Sequence, residues 1–188
     1  CSQVKPGGTV INLVGVLHDR PAKPYGKVFE RAHVLLPTHC IAAMKANGIK
    51  RYLHMSALGA DSNGPSMYQR SKGDGEAAVR ASGLDWTIFR PSVIFGQDDQ
   101  FINLFANLAK VFPVIPLANS QALFQPVSVN DVAAAFVAAI TMKQTIHQTY
   151  SLVGPEVLSM AELVRFAALK AQTTTRVIPM PAIVGYLQ

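Results

Sequence analysis

Residues Ile49 to Pro91 read IKRYLHMSALGADSNGPSMYQRSKGDGEAAVRASGLDWTIFRP. The run Ile49-Lys-Arg-Tyr-Leu-His-Met55 has the length and apolar content of a strand. A loop rich in Gly, Asp, Asn and Ser follows from Ser56 to Pro65. Ser66 and Gln69 then supply an S-x-x-Q capping box, in which each side chain satisfies a backbone N–H that the first helical turn leaves free. That helix is expected to run to about Ser82-Gly83. Leu84-Asp-Trp-Thr-Ile-Phe89 is a further strand, ending at Arg90-Pro91. Strand, helix and strand at this spacing specify a βαβ unit, and therefore parallel strands joined by a right-handed crossover.

Working toward the N-terminus, Thr9-Val-Ile-Asn-Leu-Val-Gly-Val16 is a β-branched, nearly continuous apolar run. It fits a parallel strand covered on both faces. A polar loop from His18 to Lys27 precedes a helix from Val28 to Asn47, closed by Asn47-Gly48 and kinked by Pro37. Toward the C-terminus, Val93-Ile-Phe-Gly96 starts a loop and a helix is expected from about Asp99 to Val111. A proline-rich turn follows through Pro113 and Pro116, then a short extended segment, Phe124-Gln-Pro-Val127. Asn130 is expected to cap an alanine-rich helix whose apolar stretch, Val132 to Met142, would be buried. Thr149 to Val153 reads as another strand, and Ser159 with Glu162 forms a second capping box for a helix to about Ala171.

The 188-residue composition, 49% apolar and 15% charged, describes a globular chain and not a disordered or collagenous one. The net charge of +6 is spread singly, with no Lys/Arg run longer than Lys50-Arg51. No nucleic-acid arm is expected. Cys1 and Cys40 form no staple framework, which suits a reducing compartment. His18, His33, His39, His54 and His147 show no metal-ligand spacing, so they read as surface or packed side chains. Val132 to Met142 is well short of the ~20 residues that cross a bilayer.

Chemistry concentrates in the opening segment. Tyr68 and Lys72, four apart on a helix, project from one face. An ammonium near a phenol favours phenolate, which would lower the phenol pKa toward a range useful for proton transfer. Ser56 falls at the carboxyl end of the preceding strand, the edge where open α/β sheets place ligands. Asn12 to Gly15 and Arg90 to Val93 also fall at strand ends, so three termini are expected around one crevice. Gly73-Asp-Gly75-Glu-Ala-Ala78 imitates a dinucleotide fingerprint, but it lies inside the helix and not after a strand, so it is a false match.

Ser56, Tyr68 and Lys72, in the order strand-Ser, Tyr-x-x-x-Lys helix, strand-Arg-Pro, resemble the extended short-chain dehydrogenase/reductase superfamily. The similarity extends through Asn12-Leu-Val-Gly15, His54-Met-Ser-Ala-Leu-Gly-Ala60, Tyr68-Gln-Arg-Ser-Lys72, Arg90-Pro-Ser-Val-Ile-Phe-Gly96, Gln125-Pro-Val-Ser-Val-Asn-Asp131 and Val153-Gly-Pro155. These are similar to the atypical branch, of NAD-dependent epimerase/dehydratase type, that includes the NAD(P)H-holding accessory subunit family of respiratory complex I and its bacterial relatives. The likeness runs from Val10 to about Pro181.

The resemblance implies an α/β, Rossmann-like, doubly wound parallel sheet with a small C-terminal α/β lobe. Residues 1–97 would be the later part of the NAD(P)-binding domain. Residues 98–188 would be mainly the smaller lobe, with some segments returning to the sheet. It implies NAD or NADP as cofactor, with NADP favoured. By the same resemblance Gly15 backs the adenosine-side loop, Leu13 and Val14 beside it contact the cofactor, and Tyr68 and Lys72 hold the nicotinamide ribose. Ser56 completes the Ser-Tyr-Lys set, and Pro91, Ser92 and Val93 pack against the nicotinamide end. The family opens with a strand, a glycine-rich turn and a helix for the pyrophosphate, so residues 1–188 are expected to be the later part of a longer member.

Three functions follow as expectations. The first is an NAD(P)-binding protein with a structural or assembly role beside a respiratory complex or membrane surface, in a bacterial-type cytoplasm at the inner membrane. The second is a free oxidoreductase or nucleotide-sugar epimerase/dehydratase. There Ser56 polarises a carbonyl, Tyr68 exchanges the proton and Lys72 tunes the phenol while a nicotinamide carries the hydride. The third is an interaction module that keeps the fold without the cofactor. The apolar stretch Val177 to Leu187, broken by Pro179 and Pro181, would cover the core or meet a partner or lipid.

Overall fold

The computed structural model describes residues 7–99 and 101–180, so Cys1 and the part of the Val177 to Leu187 stretch beyond Met180 lie outside the described residues. Strand β1 (Thr9–Asn12) leads to a helical stretch made of α1 (Lys27–Phe29), a π-helical segment (Glu30–Leu35) and α2 (Leu36–Ala46). β2 (Arg51–Met55), α3 (Met67–Arg80) and β3 (Asp85–Pro91) form the βαβ unit expected from the capping box and the flanking strands. Then come β4 (Ile94–Phe95), α4 (Phe101–Val111), β5 (Val114–Ala118), β6 (Leu123–Phe124) and β7 (Val127–Ser128). α5 (Val129–Thr141), β8 (Gln148–Leu152), β9 (Leu158–Ser159), α6 (Met160–Lys170) and β10 (Arg176–Met180) complete the order.

The chain divides into two compact units, Cys1–Pro91 with Val132–Leu152 and Ser92–Asp131 with Val153–Gln188. The first unit holds a four-stranded parallel sheet in the order β1-β2-β3-β8. Register pairs Asn12 with His54, Tyr52 with Trp86 and His54 with Ile88. Because side chains alternate along a strand, Tyr52, His54 and the following Ser56 share one face. Ile41 and Met44 from α2 and Val79 from α3 pack there against Tyr52, Trp86 and Ile88. On the opposite face the Phe89 ring lies 4.5 Å from Phe136 of α5.

The second unit pairs β4 with β7 and β5 with β10, both parallel, and β6 with β9 antiparallel. Its core joins Ala109, Ile115 and Leu117 to Ala161, Val164 and Ala168.

Local chemistry explains where elements stop. The first strand was expected to reach Val16 but ends at Asn12, whose Oδ1 accepts the Val14 N–H at 3.1 Å and turns the chain. Gly48 takes a positive φ of 65° after α2, as the helix-closing Asn47-Gly48 requires. Ser66 and Ser159 both make complete capping boxes. Pro37 leads not to a simple kink but to the π-helical segment just before it, since proline has no N–H to give the His33 carbonyl four residues back.

Three expectations are corrected. The turn expected through Pro113 and Pro116 is instead strand β5 from Val114 onward. Ile115 and Leu117 are buried on one side, and Pro116 is tolerated because, among the described residues, β5 pairs with β10 alone and needs few ladder donors. Asn130 is not the cap of α5: it lies in the first turn, and Ser128 Oγ accepts its N–H at 3.2 Å. The Val132 to Met142 stretch is buried on one side only. Val132, Phe136 and Ala139 face inward at helical spacing, and Val137 is 67% exposed. Among the described residues no helix is long and apolar enough to cross a membrane.

Candidate functional site

The carboxyl end of β2 and the first two turns of α3 bring Ser56, Tyr68 and Lys72 into the first unit. Lys72 is only 3% exposed, and its Nζ donates to the Met55 carbonyl at 3.3 Å. An ammonium has three donors, and this bond occupies one. Burial pulls the Lys72 pKa down to about 8, with the Glu76 carboxylate opposing that shift. Gly15 stands against the same amine, since a Cβ built there would lie 3.2 Å from Nζ. The structure therefore brings the Gly15 loop, the end of β2 and Lys72 together.

Ser56 is buried, its N–H donates to the Phe89 carbonyl at 2.7 Å, and its Oγ is sealed from solvent without a hydrogen-bond partner. The hydroxyl approaches the Glu76 carboxylate, helping hold it charged while staying outside hydrogen-bond geometry. A second backbone bond, Leu58 N–H to the Pro91 carbonyl at 2.9 Å, keeps the segment after β2 zipped to β3. Leu13 and Val14 are exposed. Ser92 and Val93 belong to the second unit, where the Val93 carbonyl accepts the Val127 N–H.

Tyr68 differs from its expected chemistry. Its half-buried ring lies edge-on to His33, with centroids 5.5 Å apart, and to Phe29 at 6.0 Å. Burial pushes the phenol pKa up, and no lowering by Lys72 accompanies it. The expected phenolate-stabilising pair is therefore not preset: aromatic neighbours desolvate the phenol, which stays protonated at neutral pH.

Sequence reasoning missed two groups. Glu76, fully buried one turn beyond Lys72, receives Arg90 through two 2.7 Å bonds, Nε to Oε1 and Nη2 to Oε2, and pairs with Arg80 at 2.8 Å. The i, i+4 series Lys72, Glu76, Arg80 was the available signal. His33 is 1% exposed and bonded on both ring nitrogens. Its local sequence carried no signal, because its partners lie in other segments. The Gly73-x-Gly75 string is confirmed as helical and has a packing reason. A Cβ on Gly73 would sit 2.2 Å from Ser62 N, and one on Gly75 2.1 Å from the His33 carbonyl oxygen.

Burial lowers the His33 pKa to about 4 and the His54 pKa to about 3, with Lys72 adding to both shifts. Between those values and about 6.5 the unfolded chain binds protons that the folded chain refuses, so stability rises with pH there. Each imidazole should remove up to about 1.4 kcal/mol of stability per pH unit on acidification through that window. Urea midpoints should therefore fall between pH 7 and pH 5, and a midpoint that does not move would show that both rings protonate freely in the fold.

The matched family is described as NAD(P)H-binding and covers residues 26–143. The chain is 33% identical over 183 residues to mouse (Mus musculus) NADH dehydrogenase [ubiquinone] 1 alpha subcomplex subunit 9, mitochondrial, covering 96% of this chain and 47% of the mouse protein. The protein of the same description from Arabidopsis thaliana is 34% identical over 175 residues, covering 92% of this chain and 42% of its own length. The chain thus spans about half the length of these curated relatives. Among solved structures, a DesIV double mutant (dTDP-glucose 4,6-dehydratase) from Streptomyces venezuelae with NAD bound superposes with a TM-score of 0.79. It has 18% identity and covers 92% of this chain and 60% of that one. This likeness shows the fold, a Rossmann-like sheet.

Proposed function

Since the chain belongs to the NAD(P)H-binding family, we propose that its first unit holds the nicotinamide-ribose end of NAD(P)H and serves binding in preference to turnover. The observation that carries this is Lys72, a buried ammonium with one modest acceptor, the carbonyl of Met55 just before Ser56, placed beside Gly15. A buried cation lacking a full set of partners is costly in the fold alone, and ribose hydroxyls satisfy its remaining donors. Tyr68, kept protonated by burial, is a hydrogen-bond donor at neutral pH. Leu13, Val14 and Pro91 are the further contacts in this unit that the resemblance assigns, and NADP is the form it favours. When bound, a nicotinamide supplies hydride chemistry.

The likeness to the mouse and Arabidopsis mitochondrial subunits supports a role beside a respiratory complex, and the bacterial-type cytoplasmic location at the inner membrane is what the resemblance alone implies. Gentle detergent extraction should recover the full-length protein with such a complex, and a species that runs only free would remove that part. The alternative, an oxidoreductase or nucleotide-sugar epimerase/dehydratase, rests on the presence of Ser56, Tyr68 and Lys72 together. Under it Tyr68→Phe should cut turnover by about 10²–10⁴.

Fluorescence titration of full-length protein with NADPH tests the binding reading. Lys72→Met should weaken binding about tenfold to a hundredfold, the range for a hydrogen bond from a charged group. The same variant should melt at the same or a higher temperature, because it removes a desolvated charge. Equal affinity in wild type and variant, or no binding by either, would reject the reading.

A further inference from the structure

His33 lies in the π-helical segment and is sealed from solvent, yet both ring nitrogens are engaged. The Val16 N–H donates to Nε2 at 3.1 Å, and Nδ1 stands 2.8 Å from Ser71 Oγ, whose hydroxyl donates to the Tyr68 carbonyl at 3.0 Å. The directions are forced. A backbone N–H on Nε2 requires a lone pair there, so the ring proton sits on Nδ1 and is donated to Ser71. A continuous relay results, from Val16 N–H through the imidazole and the Ser71 hydroxyl to the Tyr68 carbonyl. The ring also stacks on Phe29 at 5.2 Å and meets the edge of Tyr68.

The backbone of His33 is fixed as well. Its carbonyl oxygen cannot receive an N–H from Pro37, and it lies where a Cβ on Gly75 would be. One residue thus touches three turns of α3, at Tyr68, Ser71 and Gly75, while gripping the loop that carries Gly15. Gly15 in turn borders Lys72 Nζ.

We propose that His33, as a neutral Nδ1–H imidazole, is a positioning residue that locks the Leu13 to Val16 loop against α3, setting the placement of Gly15 and Tyr68 around Lys72. This deepens the dinucleotide reading and rests on it for the ligand. Only a side chain that accepts on one side and donates on the other completes this relay. Leucine does neither, lysine only donates, and a protonated imidazole would turn a donor toward the Val16 N–H. The charged and titratable groups facing the ring are Lys72 and Tyr68 from α3, Asp19 from the loop and His54 from β2. Burial and then Lys72 disfavour the imidazolium, which keeps the relay intact through the neutral range.

The test combines three readouts on the full-length protein. Nitrogen-15 NMR of His33 should show a neutral ring with its proton on Nδ1 from pH 8 to pH 5. Hydrogen exchange at the Val16 amide should be slow in wild type, about tenfold or more faster in His33→Leu, and slowed again in His33→Gln, whose amide oxygen can accept the Val16 N–H. NADPH titration should show about tenfold weaker binding for His33→Leu, with recovery in His33→Gln. A general packing role would not produce recovery by the polar variant. Should His33→Leu fail to fold, wild-type tautomer and exchange together with His33→Gln binding still decide the question.

A ring protonated on Nε2 or titrating near 6.5, Val16 exchange in His33→Leu as slow as in wild type, NADPH affinity unchanged in His33→Leu, or no recovery in His33→Gln would each overturn the proposal. Absence of NADPH binding by wild type would instead remove the dinucleotide reading, with the lock then decided by the exchange and tautomer measurements.

Discussion

Glu76→Ala should destabilise the protein by about 3–5 kcal/mol, the loss typical of removing one partner from a buried ion pair. The carboxylate is fully buried under α3 and holds the Arg90 guanidinium by both nitrogen atoms of one edge, while Arg90 also donates to the Ala60 carbonyl at 3.1 Å. Burial alone would push the Glu76 pKa up. Hydrogen bonding with Arg90, help from Ser56 and Arg80, and the charge of Arg90 bring it below the ordinary value. Without that carboxylate Arg90 keeps its charge in a half-buried place with only the weaker pull of Asp61 to offset it. Lys72 also loses the Glu76 charge that supports its protonation, so its pKa should fall below about 8.

Arg80→Ala is the contrasting control. Arg80 is 40% exposed, pairs with Glu76 at i, i+4 spacing, donates to Thr149 Oγ1 and lies over the Trp86 ring, so its loss should cost about 1–2 kcal/mol, clearly less than the loss of Glu76. Equilibrium urea unfolding of both variants checks the pair. A Glu76→Ala loss under about 1 kcal/mol would mean that the buried pair does not hold α3 to β3.

Gly75→Ala should lower stability by about 2–3 kcal/mol, although alanine is the better helix former by about 1 kcal/mol. Propensity and packing oppose one another here, and the distances decide which wins. A Cβ at position 75 would lie 2.1 Å from the His33 carbonyl oxygen and 3.3 Å from its carbon, contacts that require the backbone of the π-helical segment to move. Gly73→Ala should behave alike, because its Cβ would meet Ser62 N at 2.2 Å and Asp61 C at 2.4 Å. The obstacle in both cases is backbone and not the far end of a flexible side chain. Thermal midpoints should drop by roughly 5–10 °C for a chain of this size. An unchanged or higher midpoint for Gly75→Ala would show that α3 and the π-helical segment are not held this close.

The two glycines also show how far a linear reading reaches. Their spacing imitated a phosphate-binding loop, and the capping box at Ser66 was enough to place them inside a helix and dismiss that match. Their actual role, admitting one carbonyl and one loop backbone to the helix surface, depended on segments far away in the chain. Similarly, Tyr-x-x-x-Lys was legible from four-residue spacing, but the state of the phenol was not. Its pKa is set by the enclosure that Phe29 and His33 help provide, and neither neighbour is visible from Tyr68 outward along the chain.

What the sequence by itself determined was the alternation of parallel strands and helices in the first unit. Both capping boxes, the helix-closing Asn47-Gly48 and the placement of Ser56, Tyr68 and Lys72 at one end of the βαβ unit were legible there too. Those features follow from hydrophobic period and local backbone chemistry, which act over a few residues. Only the tertiary structure decided that Pro116 lies in a strand, that Glu76 is the buried counterion of Arg90, and that His33 bridges the Gly15 loop to α3. Each depends on partners brought close by folding across long sequence separations. The energies concerned, desolvation, ion pairing and steric exclusion, are set by distance in space.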